Sequence, residues 1–159
     1  MRLSIHAVGR MKAGPERDLV ARYLDRLAKA GPAVGMEFSG VAEIAESQAR
    51  SAGQRMREEA ERLEAVLGDS ALVLLDERGK NMTSTAFATY LSRHIDGGRK
   101  SMVVAIGGAD GHDPALRDRA DLVLSFGALT WPHQIVRVLL AEQLYRASTI
   151  LSNHPYHRA

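Results

Sequence analysis

Two short runs of continuously apolar residues constrain the fold of this chain more than any other feature of its sequence. One run lies within residues 70–76 and the other within residues 101–106, and neither alternates between apolar and polar positions. A strand with one face in water alternates, whereas a continuous apolar run is typical of a strand covered by helices on both faces. The two runs therefore predict the centre of a buried, mostly parallel sheet.

Helical patterns separate these runs from further strand patterns. Helices are predicted at residues 15–30, 43–67, from Thr83 or Ser84 onward, from Asp113-Pro114 onward, and from Pro132 to about residue 152. Further strands are predicted at residues 2–9, 33–41 and 122–126, and a polar loop at 77–81. Strands that alternate with helices indicate the α/β class, with a mostly parallel sheet flanked by helices. We expect one domain over residues 1–159.

The composition limits the possible classes of partner. The chain has no cysteine, which excludes disulfides and thiolate metal sites and fits a reducing cytoplasm. No apolar stretch approaches the roughly 18 residues needed to span a membrane, and the first residues do not resemble a signal peptide. The net charge of +2 is too small for strong nonspecific binding of nucleic acid by one chain. Nucleic-acid binding would need local basic patches or two copies.

The ends of three predicted strands are candidates for a ligand site, because open α/β sheets bind ligands at the carboxyl ends of their strands. These ends are Leu75-Asp76, Gly107-Gly108 and residues 126–131. A plain strand-to-loop turn explains the glycine pair equally well. Neither the dinucleotide-binding nor the phosphate-loop glycine pattern is present, which argues against a dehydrogenase or an NTPase.

The last six residues carry His154, Tyr156, His157 and Arg158, an unusual density of reactive side chains for a chain end. An unused tail is one alternative. Half of a metal site is another, although no third ligand lies at a helpful spacing, so no metal is expected. Upstream, His133 is either a packed histidine or a functional one. Arg137 lies one turn from His133, which makes it a further candidate for function. Glu142 and Arg146 are expected to form an ordinary i, i+4 pair, and His6 is expected to be structural.

Together these residues resemble the SPOUT methyltransferases, and specifically the family of ribosomal RNA large subunit methyltransferase H. The resemblance covers nearly the whole chain and is most specific near its C-terminus. It rests on Gly107, Gly108, Gly111, Leu124, Ser125, Thr130, Pro132, His133, Arg137, residues 142–147, Tyr156, His157 and Arg158.

The resemblance implies much that the spacing of residues does not show. Members of this family have a trefoil knot near the C-terminus, form homodimers and bind S-adenosylmethionine in the knotted loops. They methylate N3 of a pseudouridine in a stem-loop of 23S rRNA within the assembled 70S ribosome. By the same resemblance, the cofactor contacts are Leu75, Gly107, Phe126, Gly127, Ala128, Leu129, Thr130 and Trp131.

The resemblance also implies roles for the tail. His157 is the expected base, or the group that positions the base, while Tyr156 and Arg158 hold the nucleotide and His154 shares the proton-accepting role. His133, Arg137 and Arg146 are expected to contact the RNA substrate. In a dimer, the tail of one subunit would complete the site of its neighbour.

Two other functions remain open from the sequence. A methyltransferase of the same fold that acts on tRNA would be favoured by a second domain or a strongly basic extension. A non-catalytic RNA-binding or ribosome-assembly module would be favoured by a degenerate cofactor loop or tail. Neither feature is seen in the sequence.

Overall fold

Five parallel strands form the sheet that the apolar runs predict. The computed structural model describes residues 1–157. The strands are β1 Arg2–Val8, β2 Glu37–Ile44, β3 Ala71–Asn81, β4 Ser101–Ile106 and β5 Leu122–Ser125. They lie in the order β2-β1-β4-β3-β5, and every neighbouring pair is parallel. The prediction of an α/β fold with a parallel sheet is confirmed.

Five helices cover the two faces of the sheet. They are α1 Pro15–Ala30, α2 Ala52–Leu67, α3 Ser84–Asp96, α4 Pro114–Arg119 and α5 His133–Leu151. Helices α1, α3 and α5 share the larger core with the side chains of one sheet face, and α2 and α4 cover the other face. In the first layer α5 lies between α1 and α3 and contacts both. None of these helices, within the described part of the chain, is long and apolar enough to cross a membrane.

Two predicted boundaries near the second strand are wrong. The strand expected at residues 33–41 begins later, because Gly31–Val34 forms a 3-10 turn and β2 starts at Glu37. The helix expected from residue 43 starts nine residues later, at Ala52. Residues 43 and 44 pair with β1 instead, and Ser51 caps the helix by accepting the N–H of Gln54 at 3.2 Å. Pairing with a strand far away in sequence outweighs the local helical pattern.

The predicted polar loop at residues 77–81 is also wrong, because β3 continues through it to Asn81. Leu75 and Lys80 both align with Leu124 of β5, so the register shifts between them. Gly79 permits the close approach, since a Cβ there would lie 2.7 Å from the carbonyl carbon of Leu124. The trefoil knot implied by the resemblance stays a prediction.

The stability of the fold should depend strongly on the apolar side of α5. Leu144 is fully buried between the sheet and the neighbouring helices. We expect Leu144→Ala to lower the free energy of unfolding by about 2–5 kcal/mol, because it leaves a cavity in a packed core. Urea unfolding measures this change. Val66→Ala is the control: Val66 is 64% exposed, so its loss should cost less than about 0.5 kcal/mol. Equal effects of the two substitutions would contradict the packing of α5.

Candidate functional site

A cavity opens where β4 and β5 end and α5 begins, beside residues 75–78 of β3, and we call it the strand-end cavity. Its volume is about 240 Å³. It is lined by residues 75–78, 106–111, 124–127 and 129–131, together with His133 and Val136 of α5. The three strand ends singled out in the sequence therefore meet at one edge of the sheet, as expected for a parallel α/β fold.

Seven of the eight residues predicted to contact a cofactor line this cavity. They are Leu75, Gly107, Phe126, Gly127, Leu129, Thr130 and Trp131. Ala128 belongs to the same loop but is exposed and does not line the cavity. Leu129 and Trp131 are also unusually exposed for large apolar side chains, at 71% and 39%. The structure thus brings the predicted residues together, and their contact with a cofactor stays a prediction.

The glycine-rich loop at 107–111 presents its backbone to the cavity. A Cβ at Gly107 would lie 3.0 Å from the backbone of Gly111, and one at Gly108 would lie 2.7 Å from Oε2 of Glu59. The N–H of Gly111 donates to the carbonyl of Gly108 at 3.0 Å and closes the turn. A side chain at Gly107 would therefore press on the backbone of Gly111, so the loop keeps this tight path only with glycine there.

An ion pair anchors the same loop to α2. Nε and Nη2 of Arg55 donate to the two carboxylate oxygens of Asp110 at 2.7 and 3.0 Å. Nη1 of Arg55 donates to the carbonyl of Ala49 at 3.0 Å. Arg62 of the same helix is exposed and donates to the backbone carbonyl of Ala45 at 2.8 Å. No signal in the sequence identifies these partners, which come together only in the fold.

Asp76 places a negative charge under the cavity. Its side chain is only 3% exposed, and its Oδ1 accepts the backbone N–H of Arg78 at 2.9 Å. Burial raises the pKa of this carboxyl, but the N–H and guanidinium of Arg78 and the charge of Arg117 outweigh burial and lower the pKa below its usual value. Asp76 therefore stays ionised. Glu77 and Asp110 also line the cavity, as does Arg78, and Asp110 is paired with Arg55. The carboxylates there suit a ligand that offers N–H or hydroxyl donors.

His112, a buried histidine that sequence reasoning missed, ties the glycine-rich loop to β3. Its Nε2 lies 3.1 Å from the carbonyl oxygen of Leu75. Burial lowers the pKa of His112 to about 4, so the ring is neutral at physiological pH. Because a carbonyl only accepts, Nε2 carries the proton and donates it in this bond. His6, expected to be structural, is also buried, and its two ring nitrogens have no hydrogen-bond partner among residues 1–157.

The chain end folds back onto α5 and forms what we call the C-terminal cluster: Glu142, Tyr145, Arg146, Tyr156 and His157. The hydroxyl of Tyr156 donates to Oε1 of Glu142 at 3.0 Å. Arg146 pairs with the same oxygen and lies 4.8 Å from the centre of the Tyr156 ring. The expected i, i+4 pair is confirmed, and Tyr156 and His157 pack against α5. A role of the tail in function stays a prediction.

Two histidines of the tail have defined partners. Nη1 of Arg146 lies 3.3 Å from Nδ1 of His157. A guanidinium only donates, so Nδ1 accepts and the neutral ring carries its proton on Nε2. Nδ1 of His154 accepts the N–H of Tyr156 at 3.2 Å. Burial and hydrogen bonds to Tyr23 and Glu142 raise the pKa of Tyr156. The predicted role of Arg158 lies outside the described residues.

The strand-end cavity and the C-terminal cluster lie at different points along α5. His133 lies at the cavity, and Arg146 lies in the cluster. The rise of an α-helix separates these two positions by about 20 Å. The residues expected to bind a cofactor and those expected to act on the substrate are therefore not together within one chain.

Arg137, predicted to contact substrate, lies buried between α5 and the ends of β1 and β2. Its side chain is 7% exposed and forms an ion pair with Glu43. Nη2 donates to the carbonyl of Gly9 at 2.5 Å. The guanidinium is thus used within the protein, which was not foreseen from its spacing to His133. His133 itself is exposed at the rim of the strand-end cavity. Across residues 1–157, no group of three acidic or histidine side chains is placed to hold a metal.

The described residues form a parallel sheet with a glycine-rich loop at its carboxyl edge and a polar chain end folded onto the last helix. The sequence also matches a known family. A family model described as a predicted SPOUT methyltransferase matches residues 1–157. The chain belongs to the SPOUT methyltransferases.

Curated relatives narrow this class. Proteins named ribosomal RNA large subunit methyltransferase H are 66% identical in Mesorhizobium japonicum, 63% in Brucella anthropi and 64% in Allorhizobium ampelinum, with each chain covered completely. The chain is a member of that family, as the resemblance indicated. Among solved structures, the SpoU methyltransferase AviRb from Streptomyces viridochromogenes in complex with the cofactor AdoMet is 14% identical with a TM-score of 0.38. The match covers 92% of this chain and 57% of that one, and this distant likeness carries no argument about the site.

The buried His112 should make stability depend on pH. Its pKa of about 4 in the folded chain is below the value of 6.5 expected when unfolded. Between these values the unfolded chain binds more protons, so this contribution is complete above pH 6.5 and is lost as pH falls toward 4. The loss should reach about 3 kcal/mol.

Urea unfolding at several pH values tests this expectation. His112→Gln keeps an N–H donor for the carbonyl of Leu75. It should make the free energy of unfolding nearly independent of pH between 6.5 and 4. His154→Gln, at an exposed position, is the matched control and should leave the pH dependence of the unfolding free energy unchanged. An unaltered slope in His112→Gln would assign the titration to another group.

Proposed function

We propose that this protein transfers a methyl group from S-adenosylmethionine to N3 of a pseudouridine in a 23S rRNA stem-loop. The observation that carries the proposal is the identity of about two thirds, over the whole chain, to proteins named ribosomal RNA large subunit methyltransferase H. The strand-end cavity supports it, because the residues expected at the cofactor line one space. We also propose a cytoplasmic location, because the proposed substrate is ribosomal RNA.

The residues that line the strand-end cavity suit parts of S-adenosylmethionine. The glycine-rich loop and the ionised Asp76 both line the cavity. Backbone groups of Leu75, Gly107 and the loop 126–131 would hold the adenosine, and the carboxylates that line the cavity would accept N–H or hydroxyl donors of the ligand. When bound, S-adenosylmethionine supplies an electrophilic methyl group.

The chain must present N3 of the base as a nucleophile. N3 is an imide nitrogen, so its N–H bond breaks and the proton passes to a base. The N3 electron pair would form the new bond to the methyl carbon, while the bond from that carbon to sulfur would break and leave S-adenosylhomocysteine as a neutral thioether. His157 was the leading candidate for this base or for a positioning group. Since Arg146 occupies the lone pair of Nδ1 and Nε2 carries the proton, the geometry supports positioning: Nε2–H can donate to a carbonyl of the base. By the same reasoning, Nδ1 of His154 is occupied by the N–H of Tyr156, so a water molecule would then accept the proton.

We further propose that the active protein is a homodimer in which the C-terminal cluster of one subunit faces the strand-end cavity of the other. Three observations support this arrangement. The two sites are about 20 Å apart within one chain. The cavity, at about 240 Å³, is smaller than most ligand sites, which measure about 300–1,000 Å³. Leu129 and Trp131 leave large apolar surfaces at its rim, which a second subunit or a stacked base would cover.

The assembled 70S ribosome is the substrate that we propose. A net charge of +2 provides little general affinity for RNA, so specificity must come from a few local contacts with a structured target. Methyl-deficient ribosomes, free 23S rRNA and bulk tRNA, each incubated with labelled S-adenosylmethionine, test this choice. We expect label on one pseudouridine of 23S rRNA, and only when the substrate is the assembled ribosome. Label on tRNA would overturn the substrate, and bound cofactor without transfer would favour a non-catalytic module.

Removing the predicted positioning group should affect turnover more than cofactor binding. We expect His157→Ala to lower kcat about 100-fold or more, in the range of general acid–base and positioning groups, with the dissociation constant for S-adenosylmethionine within about twofold. Single-turnover methylation and calorimetry measure these two quantities. His94→Ala is the control, since His94 lies at the opposite edge of the sheet. Unchanged kcat would remove His157 from the mechanism.

A mixing experiment tests whether the site is shared between subunits. One variant carries Tyr156→Ala and His157→Ala, and the other carries Gly107→Val, which obstructs the glycine-rich loop. Each alone should be inactive. If the tail acts on the partner, co-refolding them in equal amounts should restore about a quarter of the wild-type activity, because half of the dimers contain one intact site. No restoration, with heterodimers confirmed by native mass spectrometry, would show that each chain uses its own tail.

A further inference from the structure

A second cavity lies on the same edge of the sheet, between α1, β2 and the first turns of α5, and we call it the α1–β2 cavity. Its volume is about 530 Å³, within the range of small-molecule sites. Its walls are aliphatic, formed by Val20 and Leu24 of α1, Val41 of β2 and Leu140 of α5. Val41 points to the α1 side because it aligns with Ile5, which belongs to that core.

The α1–β2 cavity adjoins the strand-end cavity. Ile106, the last residue of β4, lines both. On α5, Val136 lines the strand-end cavity and the next residue, Arg137, lines the α1–β2 cavity. A polymer that places one unit at the mouth of the strand-end cavity can therefore place a neighbouring unit in the α1–β2 cavity.

Two arginines at this cavity are available to a ligand. Arg10 and Arg17 line it and are exposed. Within residues 1–157, neither forms an ion pair with a carboxylate within 4.0 Å. The third arginine of the cavity, Arg137, is already paired with Glu43. The free charges of the cavity are thus positive and suited to phosphate.

Glu43 adds a hydrogen-bond acceptor to the same cavity. Its Oε1 accepts the N–H of Met11 at 3.0 Å and a bond from Arg137, while no donor in the described part of the chain reaches Oε2. Burial raises the pKa of this carboxyl, but the N–H of Met11 and the guanidinium of Arg137 outweigh it and lower the pKa. An ionised carboxylate with one oxygen free is suited to the amino or imino N–H of a nucleobase.

We propose that the α1–β2 cavity binds a nucleotide of the RNA substrate next to the methylated one. The base lies between the aliphatic walls and donates an N–H to Glu43, and its phosphate contacts Arg10 and Arg17. Proteins that read RNA by sequence generally bind bases splayed out of a loop, and the proposed stem-loop substrate supplies them. The inference rests on the proposed function, because it assigns the neighbouring nucleotide of that substrate.

Equilibrium binding of the full-length protein to methyl-deficient 70S ribosomes, without S-adenosylmethionine, tests the charges. We expect Arg10→Ala with Arg17→Ala to raise the dissociation constant about tenfold and to reduce the slope of log K against log salt by about two. The affinity for S-adenosylmethionine should stay unchanged. Arg50→Ala with Arg57→Ala is the control, because it removes the same charge from exposed positions near α2, on the other face of the sheet. It should change neither the ribosome dissociation constant nor the salt slope.

A second variant tests the space of the cavity without altering charge. Ala21 is an exposed residue of α1 that lines the cavity, so Ala21→Trp should fill the space and raise the ribosome dissociation constant about tenfold. Ala28→Trp, at an exposed position of the same helix outside the cavity, is the control. Circular dichroism and the unfolding midpoint verify that each variant is folded.

The possible results separate this inference from the proposed function. If the cavity variants bind ribosomes as the controls do, the inference is overturned even when methylation proceeds normally. If the wild type binds ribosomes but transfers no methyl group, the proposed function fails, and the salt slope still decides whether the cavity contacts RNA. If the wild type does not bind ribosomes at all, both proposals fall.

Discussion

The parallel pairing of β4 with β1 on one side and β3 on the other is the interaction on which the rest of the structure depends. Residues 102–106 of β4 are all buried, so the strand is covered on both faces. Ala7 and Leu75 both align with Ile106, which brings the carboxyl ends of β1 and β4 to one edge, beside the point where β3 stops pairing with β4. The glycine-rich loop, Asp76 and both cavities are found at that edge as a direct consequence.

Helix α5 then sets the distances between the functional regions. Its first turn borders the strand-end cavity, Arg137 and Leu140 border the α1–β2 cavity, and Glu142 and Arg146 hold the chain end. A helix packed in the core is a stiff spacer with a fixed rise of about 1.5 Å per residue. The separation between the strand-end cavity and the C-terminal cluster is therefore a property of the fold. A second subunit is the simplest way to bring a C-terminal cluster next to the cavity.

Partly buried ion pairs hold the loops around this edge in position. Arg55 with Asp110 joins α2 to the glycine-rich loop, and Arg137 with Glu43 joins α5 to the end of β2. Each pair contributes little net energy relative to apolar packing, but losing one partner leaves an uncompensated charge. Such pairs therefore define one arrangement of the loops more than they add stability. Arg137 is thus paired within the protein, whereas Arg10 and Arg17 line the α1–β2 cavity without a carboxylate within 4.0 Å among the described residues.

The sequence by itself determined the fold class, most helix boundaries and the family. Continuous apolar runs identify buried parallel strands, Thr83 and Asp113 cap their helices as predicted, and the glycines and the tail carry the resemblance. These signals are local, so they can be read from neighbouring residues. Only the tertiary structure decided where β2 begins, that residues 77–81 continue β3, and that Arg55, His112 and Arg137 bind partners far away in sequence. It also decided that the tail and the cavity lie apart. Each of these depends on pairing or burial between distant segments, whose energy outweighs local preference and leaves no periodic pattern in the chain.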